Sequence, residues 1–491
     1  MEDMTLEQLR AKHPRFVYQN FSWQQVADQL LVEFQFLLEP DVPFTARLTI
    51  DQVQPTTIER LGQAQLDQWV FHLGLIELFS YWKAAAPAKI VVTAGRLNKA
   101  QLAWWKNLLI KSMGEFFYTN QIDFTAPDFV ELTTTQIIAG NQTDQRQIDQ
   151  TANSSQPLSQ PTPTYLIPVG GGKDSAVVLE LMEENNLPHD ILLSYPQSPA
   201  AAQIAQLSRT DRIISVIRTL DPTLLKLNQT GYLNGHTPFS ARLAFESSLV
   251  SALFGHEKIL LGNEFSANEG NIPYLGTTIN HQYSKTFEFE TSFRQYVQTY
   301  LATSSKNTPE YLSLLRPIYE LQIAGLFAQY PRWQTVFRSC NRNQQDGTWC
   351  GECAKCLFVF TILYPFLDEK QLIGPIFADN LFENTKLNQL AMALLGKDEH
   401  KPFECVGTYQ ETLAAFQLSV VKFQRLHPDR PLPAVLKFVR ETVLNQEANL
   451  DGLIQKTLCF WNDEHHLNEQ LVKIVRAAKD RLCQQFEKPI S

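Results

Sequence analysis

Apolar and polar positions change period several times along this chain. Near Phe16-Val-Tyr and across Phe44-Thr-Ala-Arg-Leu-Thr-Ile they alternate in twos, the mark of strands buried on one face. Around Val70–Trp82 and Leu102–Phe117 the spacing becomes helical, so residues 1–132 read as an α+β domain. Residues 133–164 run through Thr, Gln, Ser and Pro with few large apolar side chains, too little to bury, and read as a flexible linker. The run Tyr165-Leu-Ile-Pro-Val then breaks into three glycines and reopens as a helical stripe through Val177, Val178, Leu181 and Met182, ending at Asn185-Asn-Leu-Pro. Strand-like Asp190-Ile-Leu-Leu-Ser-Tyr, Arg212-Ile-Ile-Ser-Val-Ile and Lys258-Ile-Leu-Leu alternate with helical stretches near Ala201–Leu207 and Ala241–Phe254. Such alternation predicts a parallel sheet wrapped by helices over 165–356, with the loops after Val169, Leu193 and Leu261 sharing one crevice. Residues 357–491 are mainly helical, with breaks near Gly396 and Pro431, and no internal repeat is present.

The triglycine turn carries the first chemical signal. Gly170, Gly171 and Gly172 permit torsions that a side chain forbids, so successive N–H groups can close on an anion at the positive end of the next helix. A P-loop does not fit, because Lys173 is followed by Asp174 and Ile167 stands where its first glycine belongs. A dinucleotide fingerprint does not fit either, because Ser175 occupies the place of its third glycine. A glycine-rich turn serving packing alone is the bland alternative.

A second signal is four cysteines in one short run: Cys340, then Cys350-Gly-Glu-Cys353-Ala-Lys-Cys356. Two successive two-residue spacers turn thiolates toward one point, and Cys340 can return across its loop to complete a tetrahedron. Zinc in a structural role is the expectation, since four protein ligands leave no open position; an iron–sulfur cluster is the competitor. Cys405, Cys459 and Cys483 read as buried apolar fillers.

Composition narrows the class. With 491 residues, 44% hydrophobic and 19% charged, the chain is ordinary globular material for roughly three domains. A formal charge of −9 disfavours binding along a phosphate backbone, so nucleic acid is not expected as a partner despite Arg209, Arg212 and Arg218. The acidic start lacks the basic and apolar regions of a secretory signal, and the apolar run Leu357–Leu367 is too short for a bilayer; the expectation is a cytoplasmic protein without membrane contact.

The triglycine loop resembles the Ser-Gly-Gly-x-Asp-Ser loop of the PP-loop ATP pyrophosphatases, with Gly170 in place of the serine and one hydroxyl contact to pyrophosphate therefore absent. The cysteine run looks like the zinc site of the PP-loop enzyme 7-cyano-7-deazaguanine synthase. Joined to the polar segments starting at Asn234, Gly262, Asn280 and His400, the two devices resemble the UDP-N-acetylmuramoyl-L-alanyl-L-glutamate epimerase family, MurL, from about His72-Leu-Gly-Leu-Ile-Glu-Leu through Cys405-Val-Gly-Thr. The expected fold is thus α/β: a parallel-sheet PP-loop nucleotide-binding domain with an N-terminal α+β domain and a mainly helical C-terminal region. The resemblance implies ATP-driven inversion of the terminal L-glutamate of a UDP-muramoyl-dipeptide, with AMP and pyrophosphate released, in peptidoglycan precursor synthesis. Another PP-loop adenylating enzyme acting on deazaguanine or tRNA, or a zinc-stapled nucleotide-binding module without catalysis, remain the alternatives.

Candidate roles follow. The amides of Gly170–Gly172, with Lys173 and Ser175, are expected to hold ATP phosphates, Asp174 to lie near magnesium, and Ser194 and Tyr195 to border the adenine. For proton transfer the titratable candidates are His236, Glu264, Glu269 and His281, although a loop histidine also serves as a hydrogen-bonding scaffold. Asn263, Asn268 and Asn271 are candidates for substrate contact or for satisfying loop backbone, and Tyr283, Lys285 and Lys401 for meeting an acidic substrate.

Overall fold

The computed structural model describes residues 4–135, 164–196, 198–210, 212–302, 308–343, 346–398 and 400–486. Twelve strands form there: β1 Arg15–Val26, β2 Gln29–Leu38, β3 Val42–Asp51, β4 Lys89–Val92, β5 Glu131–Thr134, β6 Tyr165–Pro168, β7 His189–Tyr195, β8 Ile213–Thr219, β9 Lys258–Leu261, β10 Ile272–Tyr274, β11 Thr277–Ile279 and β12 Glu310–Ser313. Ten of them make one sheet in the order β12-β9-β6-β7-β8-β3-β2-β1-β4-β5. It is a mixed α/β fold, and six of the nine pairings in that sheet are parallel.

The alternation noted in the sequence becomes a one-sided meander. Along β2 the residues Leu30, Val32, Phe34, Phe36 and Leu38 are buried, and along β3 Phe44, Ala46, Leu48 and Ile50, while their neighbours are more exposed. The four residues of β6 are all buried, as expected for a strand covered on both faces. Period two sorts them. Tyr165 and Ile167 join the core built with helices Lys173–Glu184, Glu320–Phe327 and Ala354–Leu363, whereas Leu166 joins the core of helices Gln63–Trp82 and Phe239–Phe254.

Antiparallel pairing of β3 with β8, from Arg47 opposite Thr219 to Ile50 opposite Val216, carries the N-terminal meander into the same sheet as the parallel strands. Of the segment 133–164, residues 136–163 lie outside the described residues, and β5 ends at Thr134. Beyond Leu363 the described elements are helices packed on one another and on the first of the two cores. No helix among the described residues is long and apolar enough to cross a membrane.

Candidate active site and cysteine cluster

β6 ends at Pro168 and the chain turns into the helix starting at Lys173. Gly171 takes φ +88°, and a Cβ there would stand 2.7 Å from Ser198 Oγ and 2.8 Å from the Ala201 backbone nitrogen. The loop after β6 therefore lies directly against the helix that follows β7. The loop after β9 closes on it too: a Cβ on Gly262 would be 2.9 Å from Asp174 Cβ. Gly172 caps the helix without any side chain, the Arg338 N–H donates to Gly171 O at 2.9 Å, and the Ser175 hydroxyl donates to Gly172 O at 3.1 Å.

Lys173 is buried, with its ammonium 2.6 Å from Asp174 Oδ1 and 2.7 Å from Glu320 Oε1. Glu320 also receives Lys355 Nζ at 3.2 Å. Burial opposes the charge on Glu320, but the Lys173 and Lys355 ammoniums overcome it and hold the carboxyl at about 2. Burial likewise opposes the Lys173 charge, and Asp174 and Glu320 together raise its pKa.

A second cluster adjoins the first. Glu264 is 4% exposed, and no hydrogen bond reaches its carboxyl group among the described residues. Burial first, then the negative charges of Glu320 and Asp174, push it up to about 8. Lys285 is within electrostatic reach of Cys405, Glu264 and Asp174, and its Nζ lies 3.3 Å from Cys405 Sγ. Cys405 Sγ is also 3.8 Å from His281 Nε2. Burial disfavours the thiolate, yet Lys285 and His281 prevail and bring the thiol down to about 5. His281 Nδ1 meets Glu115 Oε2 at 2.5 Å, and His236 Nδ1 meets the same oxygen at 3.2 Å. Burial opposes charge on both rings. Cys405 and Glu115 nevertheless carry His281 up to about 9, while burial and the neighbouring His281 charge drive His236 down to about 4. Arg316, fully buried, donates to Glu264 O at 2.8 Å and to Lys285 O at 2.5 Å, fixing the spacing of those two residues.

The other sequence candidates are held elsewhere or spent locally. Glu269 pairs with the buried Lys401 at 2.9 Å and accepts from the Tyr409 N–H at 3.1 Å. Asn263 donates to Ser313 Oγ, Asn268 accepts from the Phe287 N–H, and Asn271 bridges the His281 N–H and Pro402 O. The Tyr283 hydroxyl donates to Glu288, which is exposed. Ser194 Oγ accepts from Arg242 at 3.0 Å at the end of β7, and Tyr195 beside it is half-buried.

Cys340, Cys350, Cys353 and Cys356 converge, with their sulfurs all within 4.8 Å of one another. Cys350 Sγ and Cys353 Sγ lie 3.6 and 3.5 Å from Cys356 Sγ. Thiolates bound tetrahedrally at about 2.3 Å from zinc stand roughly 3.8 Å apart, so the donor set fits such an ion closely. Glu115, His236 and His281 also lie within 4.8 Å of one another. There the 2.5 Å contact between His281 Nδ1 and Glu115 Oε2 is a hydrogen-bond distance, shorter than two ligands each about 2.1 Å from one metal ordinarily keep.

Two expectations about cysteine need correction. Cys459 and Cys483 are not separate apolar fillers but form a disulfide, Cα to Cα 5.0 Å, joining two C-terminal helices. Cys405 is not an apolar filler either; it is partly exposed and flanked by two cations. Sequence reasoning also missed Glu115, Glu320 and Lys355. The available signal for Lys355 was a lysine between two candidate ligands at the head of an apolar helix.

A family model described as the MurL N-terminal domain matches residues 7–314, and one described as the MurL C-terminal domain matches 336–449. A protein of Micromonospora sp. named UDP-N-acetyl-alpha-D-muramoyl-L-alanyl-L-glutamate epimerase is 32% identical over 91% of the chain and 96% of its own length. Proteins with the same name from Xanthomonas oryzae pv. oryzae and Salinispora tropica are 30% and 32% identical, over 82% and 91% of the chain and 85% and 93% of their own lengths. No solved structure matches. The N-terminal domain model contains the triglycine loop and the C-terminal one the cysteine cluster, and the relatives align along nearly the whole length: the chain belongs to the MurL family.

Proposed function

We propose that the protein is an ATP-dependent epimerase of the PP-loop class that inverts the terminal L-glutamate of UDP-N-acetylmuramoyl-L-alanyl-L-glutamate through an acyl-adenylate, releasing AMP and pyrophosphate, in peptidoglycan precursor synthesis. The names of the relatives supply the substrate and the inversion. The observation that carries the reading is the adjacency of two clusters: Lys173, Asp174 and Glu320 at the triglycine loop, and Glu264 and Lys285 within electrostatic reach of that same Asp174.

Activation comes before inversion for an electrostatic reason. An α-proton beside a free carboxylate is hard to remove, because its loss would add a second negative charge to the same group. Joining the carboxylate to the α-phosphorus of ATP, with pyrophosphate leaving, removes the first charge and makes the acyl group an electron sink. In this reading the loop amides and Lys173 bind the departing phosphates, and the uncapped start of the helix at Lys173 adds its dipole. Asp174 would hold magnesium, which would neutralise negative charge on the phosphates. The four cysteines would hold a structural zinc. Ser194 and Tyr195, at the end of β7, border the base. Water then releases AMP from the inverted product. A nucleotide-linked substrate and the use of ATP support a cytoplasmic reaction.

The test is incubation with ATP, magnesium and the L-Glu dipeptide substrate in deuterated water, followed by nucleotide and chiral glutamate analysis. Stoichiometric AMP and pyrophosphate with deuterium at an inverted carbon are expected. Retained L-configuration during ATP turnover would reject the reading.

A further inference from the structure

We infer that Cys405 is the thiolate that exchanges the α-proton on one face of the activated glutamyl residue, and that the Glu264 carboxyl serves the opposite face. The inference rests on the adenylating epimerase reading above and gives it its proton-transfer groups.

Three arrangements carry it. The Cys405 sulfur stands between Lys285 Nζ at 3.3 Å and His281 Nε2 at 3.8 Å. An uncharged thiol has little use for two cations in a half-buried setting; a thiolate does. Glu264 is almost wholly buried, its backbone carbonyl is held by Arg316, and burial and charge rather than any hydrogen bond set its carboxyl, which leaves that group for a ligand rather than for the fold. Lys285 Nζ contacts the thiol, Arg316 ties the Lys285 carbonyl to that of Glu264, and Gly262 on the Glu264 loop packs against Asp174, so the thiol and the carboxyl adjoin the triglycine loop where the acyl phosphate would form.

The framework holds this pair firmly. Arg316 binds the Glu264 and Lys285 carbonyls, while Lys355, between two of the clustered cysteines, binds the Cys405 carbonyl. His281 and, through Glu115, His236 then act as positioning residues that keep the thiol charged, rather than as the proton carriers the sequence suggested.

The step balances without an oxidant. In the L-to-D direction the thiolate takes the α-proton: the Cα–H bond breaks, an S–H bond forms, and the electron pair passes into the adenylated acyl group. The Glu264 carboxyl then gives its proton to Cα from the other face, the electron pair returns, and solvent resets both groups. The protonation states agree with these tasks at neutral pH. Lys285, His281 and Lys355 set the thiol at about 5, whereas burial and the charges of Glu320 and Asp174, only partly offset by Lys285 and Lys173, set the carboxyl at about 8.

The experiment compares wild type, Cys405→Ser and Glu264→Gln with ATP, magnesium and the L-Glu dipeptide substrate in deuterated water. Both variants are expected still to release pyrophosphate while inversion falls on the order of 100-fold or more. Glu264→Gln is expected to wash deuterium into recovered L-glutamate, because its thiolate still works, whereas Cys405→Ser washes in none. Inversion by Cys405→Ser within threefold of wild type would overturn the inference. Wild type that releases no pyrophosphate would instead overturn the adenylation reading. Independently of any variant's folding, iodoacetamide labelling of wild-type Cys405, followed by peptide mass spectrometry, is expected to be half-maximal near pH 5 and to be blocked by the dipeptide substrate. A midpoint near 8.5, the ordinary thiol value, counts against the thiolate.

Discussion

Lys355 Nζ lies 3.2 Å from Glu320 Oε1 and also reaches the carbonyl oxygen of Cys405. Lys355 sits between Cys353 and Cys356 in the first turn of helix Ala354–Leu363, so the fold of the cysteine cluster delivers one buried ammonium to two places at once. At one it steadies the carboxylate that holds Lys173; at the other it anchors the segment bearing the Cys405 thiol. The cluster, 20 or more residues along the chain from Glu320, thereby joins the triglycine loop to the second cluster.

Lys355→Met removes that link while keeping length and apolar bulk. Glu320 would retain Lys173, but a buried carboxylate would lose one of its two cations and the Cys405 carbonyl its donor. Removing one partner of a buried ion pair costs about 3–5 kcal/mol where it strands the other charge. Because Lys173 stays on Glu320, denaturant unfolding is expected to show a smaller loss, about 1–3 kcal/mol, with the metal content of the folded protein unchanged and inversion impaired more than pyrophosphate release.

Metal analysis tests the cysteine cluster. One zinc per chain is expected, without the visible absorption of an iron–sulfur cluster. Chelation, or Cys353→Ser, is expected to release it and to lower the thermal midpoint sharply, because binding free energy at a structural zinc site is folding free energy. The Arg338 N–H holds the Gly171 carbonyl from a position just before Cys340, so ATP-dependent pyrophosphate release should fall together with the metal.

The two glycines of the loop should respond differently to the same added methyl group. Gly171→Ala must accommodate φ +88° and contacts of 2.7 Å to Ser198 Oγ and 2.8 Å to backbone at Ala201, so a cost of roughly 1–3 kcal/mol is expected. A Cβ at Gly170 meets nothing within 4 Å, and Gly170→Ala is expected to leave stability within about 0.5 kcal/mol. If the nucleotide's phosphates approach this backbone, Gly170→Ala will still raise the KM for ATP. Thermal unfolding and pyrophosphate-release kinetics on the two variants separate folding from binding.

What the sequence made legible was local. β6, the triglycines and the helix at Lys173 lie within one continuous stretch, and the cysteine spacing states its own geometry, so both could be read from residue order. Glu264 and His281 stood out as titratable groups in polar loops, and both lie in the second cluster. The meaning of Cys405 was not legible, because Lys285 and His281 come from 120 and 124 residues away. Glu115 reaches His281 across 166 residues, and β3 meets β8 only through long-range pairing. Glu269 and Lys401 were each read alone for a related reason: nothing in the local sequence reveals that they pair with each other.

Glu264 should also leave a mark on stability against pH. Its carboxyl titrates at about 8 in the folded protein because burial, Glu320 and Asp174 disfavour its charge, against about 4.3 in an unfolded chain. Between those values the folded state keeps a proton that the unfolded state has released. The contribution of Glu264 is therefore complete below about pH 4 and declines as pH rises toward 8, by up to about 1.4 kcal/mol per pH unit. Glu264→Gln keeps the shape and cannot titrate. Other buried groups, such as Glu411 at about 7, act in both proteins and largely cancel in the difference. Urea unfolding of the pair at pH 5, 6, 7 and 8 is thus expected to show wild type losing stability relative to Glu264→Gln at each step. A difference that stays flat across that range would mean that the carboxyl is already ionised at neutral pH and has no proton to give.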